Sequence, residues 1–269
     1  GGENGARARA QDTVTTPGMP RHRCLLRPDS VTLRCTVPLV TLFTQVTRLQ
    51  FGRRTVSSMQ ITHLGHACLL VESADVRVLI DPGSFTGDFT RLRDLDVIVV
   101  THQHRDHLDP ERLPELVRAN TDALLLCDPD SVEVLRDVGL GPSVHQPDGT
   151  VVGDLTITPV GAIHALIHDE IPRISNVGVR LSAPGEPSLF HPGDALDGEP
   201  GPVDVLAFPL NAPWQRSREM TAFVRRIGAR QALPIHDALL SSTGRGLYLG
   251  QARTLGSPDT EVRDLAGRG

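Results

Sequence analysis

The chain contains no lysine, and all 27 of its basic residues are arginine. That absence excludes mechanisms built on a Schiff-base lysine or on the lysine of a phosphate-binding loop. Cysteine is also scarce: Cys24, Cys35, Cys68 and Cys127 are the only four in 269 residues, and no two form a C-x-x-C pair. Such usage argues against a disulfide framework or a structural zinc knuckle and points to a reducing cytoplasm. Long apolar runs are missing too. The best, Val37 to Phe51, is broken by Thr, Gln and Arg, and a membrane span needs roughly 18 to 20 uninterrupted apolar residues. Neither a G-x-S-x-G elbow nor a G-x-x-x-x-G-K-[ST] loop is present, so two common enzyme signatures are excluded.

What is present is ordinary globular composition, 39% hydrophobic and 22% charged, in a chain long enough to bury a sizeable core. The net charge of −5 is unevenly divided. Residues 1–58 carry nine arginines and three acids, a net +6, whereas the remaining 211 residues carry 18 arginines and 29 acids, a net −11. An acidic body argues against a broad nucleic-acid surface, because neutralising phosphates takes clustered cations.

Residues 1–58 show neither a helical period nor strand alternation and open on a Gly, Ala and Arg-rich stretch, the composition of a disordered extension. Strong patterning begins at Met59. The expectation is that Met59 lies close to the natural start, that 1–58 is an upstream or artificial extension, and that 59–269 is a single domain. A mitochondrial-type presequence is the rival reading of the Arg-rich, acid-poor stretch, against which stand the missing amphipathic period and the glycine start.

From Met59 onward, strands are expected at Gln60–His63, Ala67–Glu72 and Val76–Asp81, with a turn at Ser73–Asp75. The run Asp96–Val100 is apolar without alternation, the mark of a strand covered on both faces. A helix over Pro110–Ala119, shortened or kinked at Pro114, precedes a strand at Leu124–Cys127 and a helix over Pro129–Val138 closed by Gly139. The second half repeats the order: a hairpin-like run over Val151–Val160, strands at Asn176–Leu181, Ser188–His191 and Val203–Pro209, a helix over Gln215–Ile227 and a strand at Gln231–Ile235. Hairpins leading into β-α-β units in both halves predict an α/β fold of two packed sheets with helices outside.

The densest chemical signal is Thr101-His102-Gln103-His104-Arg105-Asp106-His107, directly after the buried strand. Extended backbone sends side chains two apart to one side, so His102 and His104 can converge on one ion while the following turn aims Asp106 and His107 at a second. Imidazole nitrogen and carboxylate oxygen suit zinc and related first-row divalent ions. A solvated histidine-rich turn is the competing explanation, which three imidazoles and a carboxylate after an apolar strand disfavour.

With H-x-H-x-D-H matched at every specified position, the chain resembles the metallo-β-lactamase-fold hydrolases from about Met59 to Asp237. Gly65-His66-Ala67, Leu79-Ile80-Asp81-Pro82 and Asp106-His107-Leu108-Asp109 look like the branch holding the ascorbate-6-phosphate lactonase-like proteins and N-acylphosphatidylethanolamine phospholipase D. The D-H-x-G-G continuation of glyoxalase II-like members is absent. The resemblance implies a four-layer αββα sandwich, two mixed sheets face to face with helices outside. Its later motifs fall on His164, with His168 as competitor, on Asp194 in His191-Pro192-Gly193-Asp194, and on His236 ending Leu233-Pro234-Ile235. It further implies that His102, His104 and His164 hold one ion, that Asp106, His107 and His236 hold the other, and that Asp194 bridges them. Two such ions, zinc by base rate with manganese or iron as alternatives, share a water ionised near neutral pH. Asp106 orients this nucleophile toward an ester, lactone, amide or phosphodiester of a small molecule.

Several residues stay open between supporting the site and ordinary structure. Asp81 either accepts a ligand imidazole's other N–H or is a turn aspartate before Pro82. His66 and His191 either back the site or pack in the core, and Trp214 is either a pocket wall or structural. His22, His63 and His145 read as structural or surface residues, and Cys68 and Cys127 as buried, inert thiols. The pocket lining is expected from the loops 84–93, 168–175 and 211–218.

Two other function classes remain in play. One is a mononuclear iron oxygenase of the persulfide dioxygenase type, which needs one filled metal position. The other is a non-catalytic ligand-binding member, which has no need of seven intact ligand positions. An antibiotic-cleaving β-lactamase, a ribonuclease Z-like enzyme and a flavo-diiron reductase are disfavoured in turn by the all His/Asp set, by the acidic body without a basic arm, and by His104 standing where the reductase carries Glu.

Overall fold

The alternation that starts at Met59 folds into an antiparallel pair, β1 (Gln60–Gly65) and β2 (Cys68–Ser73), which continues through a turn into β3 (Val76–Ile80). A computed structural model describes residues 59–266, so the expectations for 1–58, including His22, Cys24 and Cys35, lie outside the described residues. β4 (Val97–Val100) is buried at every position and runs parallel to β3, as its unbroken apolar run requires. Next come α1 (Leu113–Ala119), β5 (Leu124–Cys127), α2 (Ser131–Asp137) and the short β6 (Ser143–Val144). Pro114 sits in the first turn of α1 rather than breaking it. Proline there lacks only an N–H that would be unpaired anyway, so the helix starts at Leu113 instead of Pro110.

The second sheet opens with a hairpin of β7 (Thr150–Val152) and β8 (Leu155–Val160), then adds β9 (Gly178–Ser182), β10 (Leu189–His191), β11 (Val205–Pro209), α3 (Ser217–Ile227) and β12 (Gln231–Ile235). Sequence patterning leaves unassigned α4 (Ser242–Leu255), whose three glycines lower its helix propensity, and the two-residue β13 (Glu261–Val262). Ser241 caps α4, its side chain accepting from Gly244 N–H at 3.2 Å.

Strand order is β1-β2-β3-β4-β5-β6 in one sheet and β13-β12-β11-β10-β9-β8-β7 in the other, both mixed. Their facing surfaces interleave Ile61, Leu69, Val78 and Val99 with Ile157, Val179, Leu181 and Ala207 in one apolar cluster. The outer face of the first sheet buries Leu79, Ile98 and Cys127 under Leu113, Leu116 and Leu135 of α1 and α2. That of the second buries Phe190, Leu206 and Phe208 under Met220, Phe223 and Leu249 of α3 and α4. The result is the expected αββα sandwich. Cys68 and Cys127 are free and buried, and burial pushes the Cys127 thiol up to about 12. No helix among the described residues is long and apolar enough to cross a membrane.

β3, β4 and β5 are mutually parallel, as are β10, β11 and β12. Residues just beyond the C-terminal ends of β3, β4, β8, β10 and β12 gather at one edge of the sandwich, where ligand sites of parallel sheets form.

Candidate metal centre

Seven side chains named from the sequence meet at that edge. His102 and His104 follow β4, and His164 follows β8. Asp194 follows β10, and His236 is the first residue after β12. His102, His104, His164 and Asp194 form one quartet whose ligand atoms all lie within 4.8 Å of one another. His66, Asp106, His107 and His236 form another. Asp194 touches both groups: Oδ2 is 3.4 Å from His164 Nε2 and 3.2 Å from His236 Nε2, and Oδ1 is 3.1 Å from His107 Nε2. His168 stays outside. It is exposed, and its Nδ1 accepts from Glu170 N–H.

The imidazoles are anchored through the nitrogen that faces away from the cluster. His107 Nδ1 donates to Asp81 Oδ2 at 2.7 Å, His164 Nδ1 to the Ala165 carbonyl at 2.6 Å and His236 Nδ1 to the Asn211 carbonyl at 2.8 Å. His102 Nδ1 lies 3.1 Å from Thr101 Oγ1, whose own proton goes to Asp81 Oδ2. In the neutral imidazole each bond leaves the lone pair on Nε2. Nε2 of His107, His164 and His236 and Oδ1 of Asp194 are buried without a hydrogen-bond partner among the described residues. Buried polar atoms are rarely left so, and these four, divided between the two neighbouring quartets, fit divalent cations.

Charge in this cluster follows from burial and neighbours. Burial and the adjacent imidazoles hold His102 and His104 below the usual histidine range, so both offer neutral nitrogen. Burial acts the same way on His107 and His236, but the Asp194 charge and the other carboxylates close by outweigh it, raising both, His236 to about 9. Burial would raise Asp106 and Asp194, yet the surrounding imidazoles keep both well below the ordinary carboxylate range.

The backbone is strained to serve the cluster. Among the described residues, six non-glycines have positive φ, and His66, Asp81 and His236 are three of them. Gly193, at φ +60°, sets the turn that delivers Asp194. A Cβ there would strike Asn176 Oδ1 and lie 2.7 Å from Thr101 Oγ1.

A family model described as a beta-lactamase superfamily domain matches residues 60–236, a span that takes in both quartets. The chain belongs to this superfamily. It is a metal-dependent hydrolase with the metallo-β-lactamase fold. Among relatives, it is 40% identical to Protein Rv0786c of Mycobacterium tuberculosis over 205 residues, 76% of this chain and 96% of the relative. A UPF0173 metal-dependent hydrolase of Methanospirillum hungatei is 30% identical over 191 residues, covering 66% of this chain and 82% of the relative. Among solved structures, the metallo-beta-lactamase fold protein YhfI from Bacillus subtilis superposes with a TM-score of 0.61 at 18% identity, covering 78% of this chain and 96% of that one. At that identity it bears on the fold alone.

Within this superfamily fold, the residues left open by sequence acquire definite contacts. Asp81 is fully buried and accepts from Thr101 N–H, Thr101 Oγ1 and His107 Nδ1. His66 accepts Ala238 N–H on Nδ1 and so donates Nε2–H to Asp106 Oδ2 at 3.0 Å. His191 bonds the Ala67 carbonyl and Gly193 N–H and serves the turn. Trp214 donates its indole N–H to Asp194 Oδ2 at 3.0 Å. His63 reaches the His66 carbonyl. His145 is buried away from the metal cluster. Asn176 was not singled out from the sequence, yet its Oδ1 accepts Asp194 N–H and its Nδ2 donates to the Pro192 carbonyl. In the sequence it reads only as the start of the strand expected at Asn176–Leu181, and its burial and contacts show its role.

Proposed function

We propose that this chain is a binuclear hydrolase of a small molecule, cleaving an ester, lactone, amide or phosphodiester bond. His102, His104 and His164 would hold one divalent ion, Asp106, His107 and His236 the other, with Asp194 between them. The nitrogen and oxygen donors suit zinc, manganese or iron, and zinc is the ion we propose. Such a pair would lower the pKa of a water toward neutrality and polarise the carbonyl or phosphoryl oxygen under attack.

The chain's own residues do the positioning. Asp106 keeps 21% of its side chain exposed, against 3% for Asp194, so it is the carboxylate of the cluster that an incoming water reaches. With Oδ2 held by His66, Asp106 orients that water. Asp194, clamped by Trp214 and Asn176, fixes the spacing of the two quartets. In this reading residues 59–269 form the hydrolase unit with 1–58 an extension of it, and the free, buried thiols support a cytoplasmic setting.

One observation carries the proposal: a single carboxylate, Asp194, lies within 3.4 Å of imidazoles from both metal groups, whose facing nitrogens are buried without hydrogen-bond partners among the described residues. The test is elemental analysis of protein purified without chelator, coupled to a hydrolysis screen. Two ions per chain are expected, with His104→Ala and Asp194→Ala each losing metal and turnover while keeping the fold. A single iron per chain with oxygen consumption would replace this reading with the oxygenase one.

A further inference from the structure

A cavity of about 840 Å³ does not contain the metal quartets but shares a wall with them. Trp214 is that wall. Its N–H bonds Asp194 Oδ2, its ring lies 5.9 Å from that of His164, and it also lines the cavity. The cavity begins at Ala165, whose N–H bonds the Asp194 carbonyl and whose own carbonyl holds His164. Leu166, Ile167, Leu196, Pro213 and Phe223 supply most of the remaining apolar lining. Leu166 and Ile167 are 52% and 36% exposed, which is costly for apolar side chains unless something covers them.

The positive charge around this cavity is already neutralised. Arg226 pairs with Glu199 and lies over the Phe223 ring, and Arg216 pairs with Glu219. The two remaining charged lining residues, Asp169 and Asp197, are acidic. Nothing here selects an anion. A volume of this size suits a ligand of moderate size held mainly by apolar contact.

We propose that this cavity is the substrate pocket, and that it takes a neutral apolar group, such as a medium-length acyl chain, whose hydrolysable bond reaches the metal centre past Trp214. The identity of the ligand as substrate rests on the hydrolase reading above, whereas its binding does not. Trp214 is the only tryptophan in the chain, so its emission reports occupancy directly.

The test has two arms on the full-length protein. In the first, 1-octanol is titrated against Trp214 emission, and a saturable change is expected. It should be weakened in Ala222→Phe, a substitution on an exposed, cavity-lining position of α3. In the second, kcat/KM is compared for p-nitrophenyl butyrate and octanoate. At roughly fourfold per buried methylene at most, octanoate should lead by about tenfold or more, with the lead reduced in Ala222→Phe. No saturable response to 1-octanol overturns the pocket assignment even where short esters are cleaved. A saturable response in metal-replete protein that cleaves neither these nor any other screened ester, lactone, amide or phosphodiester upholds the binding pocket and removes the bond classes proposed above instead.

Discussion

His107 and Asp81 are joined by a 2.7 Å bond from Nδ1 to Oδ2, and both side chains are fully shielded from solvent. The same carboxylate holds Thr101, and through it His102, so one aspartate orients an imidazole in each metal group. Removing it frees both rings and leaves buried donors unpaired. Asp81→Ala should weaken metal binding by about 10- to 100-fold, the usual effect of losing a partner of a ligand histidine. Competition with a chromogenic chelator measures this, and wild-type affinity would remove Asp81 from the site.

Gly193→Ala tests the turn before Asp194. The substitution imposes a left-handed conformation on alanine and drives a Cβ into Asn176 and Thr101. A loss of about 2 kcal/mol or more in denaturant unfolding is expected, together with reduced metal content as Asp194 shifts. Unchanged stability would mean that the turn relaxes without cost.

Trp214→Phe keeps the aromatic wall and removes the N–H from Asp194 Oδ2. About tenfold weaker metal affinity is expected, at the lower end of the effects seen for such supporting partners. Tight binding equal to the native chain would show the bond to be incidental.

His145 gives a stability signature in pH. It is buried with neither ring nitrogen hydrogen-bonded among the described residues, and burial, opposed only by the Asp81 charge, lowers it to about 4. The unfolded chain takes up this proton near pH 6.5 and the folded one only near 4, so the unfolded state gains as pH falls between those values. Stability from this group is intact above 6.5, declines by up to about 3 kcal/mol on the way to pH 4, and is flat below. Urea midpoints for the native chain and His145→Leu should converge or cross as pH falls, since the variant lacks the decline. Parallel curves would show that His145 does not titrate in this way.

Much of this protein was legible in one dimension. The apolar run before Thr101, the alternation after Met59 and the H-x-H-x-D-H spacing are local, and local periodicity dictates which face a side chain takes. That is why the strands at Leu124–Cys127 and Gln231–Ile235 have the bounds read from sequence. The glycine-bearing α4 and two-residue strands such as β13 were not legible, because their form depends on packing and sheet pairing rather than on propensity.

By itself, the sequence determined which residues could ligate metal and that His102, His104, Asp106 and His107 would cluster, since they lie on one short segment. Tertiary structure alone decided that His164 rather than His168 joins them, that Asp194 touches both groups, and that Asp81, Asn176 and Trp214 hold side chains of the two groups in place. Those relations bridge strands from two different sheets. They arise because parallel strands deliver their C-terminal loops to a common edge, an outcome of sheet packing that no local window contains.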